Sequence, residues 1–150
     1  MAKTTGRLVI LNFWLAAPDA AGPPVWTRLG GMRGKSINWG WDTTDGTDDT
    51  SPDFTKEELA TFKTVTVEGD GVSRFDLASN QEAFEAGVTN PGAGTAFQPY
   101  AWLQLVYPNG KSYQGPFLVK EFGADAPYDG VCTFNMSATS AGAITRTPGA

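Results

Sequence analysis

Tyr100-Ala101-Trp102-Leu103-Gln104-Leu105-Val106-Tyr107-Pro108-Asn109-Gly110-Lys111-Ser112-Tyr113-Gln114-Gly115-Pro116-Phe117-Leu118-Val119-Lys120-Glu121-Phe122 carries the strongest β signal in the chain. Two strand-forming runs, Tyr100–Tyr107 and Ser112–Phe122, flank Pro108-Asn109-Gly110. Proline fixes φ at the second turn position and Gly110 accepts a left-handed backbone, so the spacing predicts a β-hairpin.

The same grammar extends outward. Val131–Thr139 alternates, with Cys132, Phe134, Met136 and Ala138 on one face and Thr133, Asn135, Ser137 and Thr139 on the other. Lys63–Gly69 alternates too, Val65 and Val67 inward, Thr64, Thr66 and Glu68 outward. Arg33–Thr43 reads as a strand with Ile37, Trp39 and Trp41 on one face, Val25–Leu29 as a short strand, and Arg7–Trp14 as a strand apolar on both faces. One helix is predicted near residues 77–88, capped by Asp76 or Ser79. Leu77, Ala83, Phe84 and Val88 form its apolar stripe, Ser79-Asn80-Gln81-Glu82 has capping-box spacing, and Gly87 stands where it would stop. Asp42–Thr55 reads as a long unstructured loop, followed by a helical turn or two within Thr55–Phe62. With no repeat or linker, residues 1–150 read as a single β-rich domain with a flanking helix.

Composition narrows function by exclusion. At 150 residues one domain buries roughly 70% of its unfolded surface. Eighteen Gly and ten Pro favour a turn-rich β protein. The chain has no His and one Cys, so within one chain it forms no Ser-His or Cys-His pair, no His-containing metal site and no disulfide. The apolar run Leu8–Leu15 is short and lacks a convincing cleavage site, and nothing approaches a spanning helix, which points to a soluble protein made in a reducing cytoplasm, without a membrane anchor.

The net charge of −5 is unevenly spread. Residues 1–40 carry five cations against one carboxylate, residues 41–100 three cations against twelve carboxylates, and residues 101–150 balance. A +4 segment and a −9 segment fit a solvated acidic loop, and they also suit head-to-tail contact between identical subunits. They do not suit duplex DNA binding, which needs clustered Lys and Arg.

Each candidate for chemistry weakens on reading. In Gly69-Asp70-Gly71-Val72-Ser73-Arg74 an arginine replaces the third glycine of a dinucleotide loop, leaving a hairpin or bulge glycine pair. Asp42-Thr43-Thr44-Asp45-Gly46 misses EF-hand spacing, and Glu57 and Glu58 are adjacent in sequence, so no metal or acid/base pair is expected there. Cys132 reads as a packed core residue. Trp39 and Trp41 share a face suited to core or interface packing, or to stacking on sugar rings.

The order of elements resembles the major tail tube proteins of long, non-contractile-tailed bacteriophages and related phage-like particles. Gly6-Arg7-Leu8-Val9-Ile10-Leu11 is similar to the family's opening strand, and Trp26–Ile37 to its strand-turn-strand. The Thr- and Asp-rich loop, the unit Val65–Gly87, Gly115–Gly123 and the closing Phe134–Thr145 follow in the family's order. The resemblance implies a mainly β fold: a tail-tube-like β-sandwich with one flanking α-helix and a long extended loop, completing an inner β-barrel by oligomerisation. Relatives with an extra C-terminal immunoglobulin-like domain differ from this chain.

It also implies a non-enzymatic structural subunit without cofactor, made in the host bacterial cytoplasm and built into the virion tail as stacked hexameric rings through which DNA passes without specific binding. Implied partners are further copies of itself, the tape measure protein, the tail terminator and distal tail or baseplate proteins. Within that frame Asp42, Asp45, Asp48, Asp49 and Asp53 are assigned to ring-to-ring contact, with Arg28, Arg33 and Lys35 as the basic partner patch. Thr64, Thr66 and Glu68, with Thr133, Asn135, Ser137 and Thr139, are the candidate lumen face. Two alternatives stand beside this reading: a carbohydrate-binding or adhesion module using Trp39 and Trp41, and a type VI secretion-like tube protein.

Overall fold

The computed structural model describes residue 5 and residues 8–50 and 52–149. Lys3, Gly6 and Arg7, assigned above to the basic segment and first strand, lie outside these. The strands are β1 (Ile10–Trp14), β2 (Thr27–Arg28), β3 (Met32–Asp45), β4 (Glu58–Val72), β5 (Tyr100–Val106), β6 (Ser112–Asp125), β7 (Thr133–Ser140) and β8 (Thr145–Thr147), with one α-helix, α1 (Gln81–Thr89). All pairings are antiparallel, in the order β2-β1-β5-β6-β7-β4-β3, and β8 pairs with β6.

The two layers of the expected sandwich are halves of one continuous sheet. Seven strands spaced by about 4.8 Å would place β2 and β3 some 29 Å apart if flat. Three residues, Leu29–Gly31, join β2 to β3 and reach at most about 14 Å. The sheet must therefore curl until its ends approach. Leu11 and Phe13 of β1, Leu103 and Leu105 of β5, Phe117 and Val119 of β6, Val65 and Val67 of β4, and Phe134, Met136 and Ala138 of β7 then share one core. Phe84 of α1 plugs it, edge-on to Phe13 at 5.2 Å between ring centres and 5.9 Å from Phe122.

A second device locks the curl. Gln81, at the start of α1, is buried, and its side-chain amide donates to the carbonyls of Gly30 (2.8 Å) and Val72 (3.0 Å) while accepting from the Arg74 N–H (2.8 Å). The Asn80 amide donates to the Arg28 carbonyl, and the Gly30 N–H to the Ser79 carbonyl. Gly31 takes φ +78°, and a Cβ there would meet the Gln81 amide at 2.4 Å. One glutamine thus ties the β2–β3 turn to the end of β4.

Several boundaries differ from expectation. The acidic stretch is no unstructured loop: β3 runs through Asp45 and β4 begins at Glu58, so the connection is Gly46–Glu57 at the tip of a long hairpin. The helical turn within Thr55–Phe62 is absent; a short 3-10 turn occupies Pro52–Phe54, and Glu58–Phe62 is strand. These residues lie beyond the core, where no buried face imposes apolar alternation, and backbone pairing alone extends them. The helix begins at Gln81, after a 3-10 turn at Leu77–Ser79. Asn80 precedes it with φ 60° and makes no side-chain cap, so the capping box does not form. Leu77 is 88% exposed and Ala83 is exposed, which leaves Phe84 and Val88 as the apolar stripe. Gly87 does not end the helix; a Cβ there would meet the Leu15 side chain at 2.7 Å. The expected hairpin turn forms, with Gly110 at φ +88°. Val131–Thr139 begins as strand at Thr133 and is not the last: β8 continues along the same edge of β6.

Candidate functional site

Register assembles the polar face. Thr66 opposes Thr139, Glu68 opposes Ser137, and Val72 opposes Thr133, while Asp70 opposes Asn135. On the other side of β4, Asn38 opposes Thr66 and Ser36 opposes Glu68; beyond β7, Glu121 opposes Ser137. The small polar residues proposed from sequence therefore lie together on the outer side of β3-β4-β7-β6, with Thr64 continuing their row on β4. Sequence reasoning missed Asp70 and Glu121, although Ser36, Asn38 and Gly40 were legible as the alternates of Ile37, Trp39 and Trp41. The face holds a shallow depression of about 510 Å³ lined by Ser36, Glu68, Asp70, Glu121, Asn135 and Ser137 among others. Asp70 is held in place by the Gly34 N–H at 3.0 Å. Lys35 stands at the edge, its ammonium pKa lowered by burial and by Arg28, against the raising effect of Asp70.

Both margins of this four-stranded unit are open among the described residues. β3 pairs only with β4, and β6 beyond Val119 pairs only with β7. Unpaired edges of this length are templates for another chain.

The acidic residues cluster on one projecting arm. Asp42 and Asp45 lie on β3, Asp48 and Asp49 at the tip, and Asp53 in the 3-10 turn, all exposed. Thr47 hydrogen-bonds the Asp45 carboxylate through its side chain and its backbone N–H, holding that carboxyl below the usual aspartate range. Apolar groups on the arm are uncovered: Trp41 is 57% exposed, Leu59 59% and Phe62 74%. Arg28 and Lys35 are close enough to interact, and Arg33 lies near them in β3. From Arg33 to Asp45 is about 40 Å of extended strand, so basic patch and acidic arm occupy opposite ends of the hairpin.

Trp39 is half buried, packed against the core and 6.0 Å from the Tyr113 ring, with Lys63 over both Trp39 (5.1 Å) and Trp41 (5.7 Å). The pair is no open sugar-stacking platform, because Trp39 belongs to the core margin. Cys132 is half buried, not core, since it precedes β7 at the mouth of a groove beside Phe75. Gly71 belongs to the expected bulge: a Cβ there would lie 2.3 Å from the Gly31 carbonyl oxygen, beside the register shift between Met32 and Gly34. Among the described residues no group of acidic, Cys or His side chains could hold a metal ion, and no helix is long and apolar enough to cross a membrane.

Long unpaired edges, a continuous polar face and an exposed arm define a subunit made for assembly. A family model for phage tail tube proteins matches residues 3–146, and the chain belongs to that family. It is a structural component of a virion tail, with no enzymatic role. In fold it is similar to the tail of an empty gene transfer agent particle refined with C6 symmetry (TM-score 0.72, 20% identity, 97% of this chain and 100% of that one). It is also similar to the SPP1 tail tube (TM-score 0.68, 14% identity, 99% and 80%) and to a chain in the anti-feeding prophage baseplate (TM-score 0.59, 8% identity, 98% and 97%). No curated protein matches the chain.

Proposed function

We propose that residues 1–150 act as one unit that closes into hexameric rings, and that the rings stack head-to-tail into a DNA conduit. The observation that carries this is the polar face of β3-β4-β7-β6, bounded by two open edges. Pairing the β3 edge of one copy with the β6 edge beyond Val119 of the next removes both edges and extends that face around an inner barrel. Glu68, Asp70 and Glu121 outnumber Lys35 at the edge and make the surface negative, and small hydroxyl and amide groups between them carry no charge, so DNA slides. The C6 symmetry of the similar gene transfer agent tail supports a ring of six.

The arm reaches the adjacent ring, where its carboxylates meet Arg28, Arg33 and Lys35 at the opposite end of that copy's hairpin. Open head-to-tail contact of this kind gives filaments. Similarity to the cap that terminates the anti-feeding prophage tube supports a terminator-type protein on the last ring. A tape measure protein in the lumen and distal tail or baseplate proteins at the other end complete the expected partners.

Negative-stain microscopy of the purified chain at rising concentration tests the reading. Filaments with a central channel are expected. Discrete rings that never stack point to the secretion-like alternative, and monomers at every concentration overturn the proposal.

A further inference from the structure

The end of the body from which the arm springs carries a cationic aromatic stripe that the arm and its basic patch do not use. Tyr107 and Tyr113 pack edge-on at 5.9 Å, and the Lys111 ammonium lies 4.6 Å from the first ring and 5.2 Å from the second. Arg146 of β8 faces Tyr113 across the strand pair. Lys111 hydrogen-bonds the Tyr113 hydroxyl, and with Arg146 it lowers that phenol's pKa against the raising effect of burial. The rings thus orient Lys111, and Arg146 lies beside the Tyr113 hydroxyl. Among the described residues neither Lys111 nor Arg146 forms an ion pair.

The opposite end of β6 has the complementary sign. Asp125 closes the strand, and the connection to β7 carries Asp129 and the fully exposed Tyr128; neither aspartate has an ion pair among the described residues. Lys111 directly precedes β6 and Asp125 ends it, so roughly 43 Å of one strand separates the two signs. A head-to-tail repeat brings such ends together, and each pair there gains from charge complementarity.

We infer that the Lys111–Arg146 stripe is a second ring-to-ring contact surface, and that its occupant is the Asp125–Asp129 segment of a second copy in the adjacent ring. The inference rests on the stacking reading above. Combined with the arm contact it gives each end both signs: acidic arm and basic stripe on one, basic patch and acidic segment on the other. The second contact therefore adds strength at every head-to-tail junction.

The test uses the full chain and four proteins: wild type, K111Q/R146Q, K111E/R146E, and the swap K111E/R146E/D125K/D129K, each checked for an unchanged thermal transition under non-assembling conditions. Tube formation is followed by sedimentation and negative stain at about 50 mM salt, where screening is weak. Wild type should form tubes. The neutral variant should need several-fold more protein, and the reversed variant about tenfold more or fail altogether. Restoring complementarity in the swap should bring tubes back. Wild-type tubes with an unimpaired K111E/R146E variant would overturn the inference and leave stacking intact, and so would an impaired variant that the swap does not rescue. A wild type that never stacks would instead overturn the reading on which the inference rests.

Discussion

Replacing Gln81 by alanine isolates the link between curl and assembly surface. The wild-type amide satisfies three backbone groups, the carbonyls of Gly30 and Val72 and the N–H of Arg74, at 2.8–3.0 Å from a buried position. Each buried polar group left unsatisfied costs about 1–3 kcal/mol, and water entering the vacated space recovers part of it, so a total near 2–4 kcal/mol is expected. For a chain of this size that corresponds to a fall in Tm of about 5–15 °C. Gln81→Glu sharpens the test, because a carboxylate keeps the acceptor for Arg74 and loses both donors. Facing two carbonyls raises its folded pKa above the unfolded value near 4.3, so destabilisation grows as pH rises from about 4 and is smallest below it. Urea denaturation at pH 4 and pH 7 reads both variants. A Gln81→Ala stability within about 0.5 kcal/mol of wild type, or a Gln81→Glu penalty equal at both pH values, would refute the staple.

Gly71→Ala places a Cβ against the Gly31 carbonyl oxygen, and a loss of about 1–3 kcal/mol by urea denaturation is expected. Replacing residues 46–57 by Asn-Gly joins the paired Asp45 and Glu58 through a two-residue hairpin turn. It should leave the Tm within about 2 °C and abolish tubes, which calorimetry and negative stain check together. In an NMR titration Asp45 should ionise below the ordinary aspartate range, and Thr47→Ala should raise its pKa only part of the way back, because the backbone N–H of residue 47 still donates to the carboxylate. Its folded pKa being depressed, the stabilisation from Thr47 is present above the unfolded aspartate value and fades as pH falls through the folded one.

The parts of the fold that bury a face were legible in sequence, and the parts that do not were not. The β5–β6 hairpin followed from Pro108-Asn109-Gly110 between two strand runs, and the polar rows of β4 and β7 from alternation against Val65, Val67, Phe134 and Met136. The far end of the β3–β4 hairpin escaped because Asp42–Asp45 and Glu58–Phe62 are exposed, so pairing leaves no apolar period. β8 escaped for the same reason, all three of its residues being exposed. Gln81 reads as an ordinary surface residue at a helix start, and its three backbone partners lie 7 to 51 positions away. Of the candidate site, alternation gave each strand's face, but only the register joined Glu68, Asp70 and Glu121 on one surface.

Helical reconstruction of assembled tubes by electron cryomicroscopy reads the position of the polar face and the pairing of both edges at once. The expected map turns Glu68, Asp70, Asn135 and Ser137 toward the channel, with the β3 edge hydrogen-bonded to the β6 edge of the neighbouring subunit. A map with that face on the outer surface, or with both edges unpaired between subunits, would contradict it.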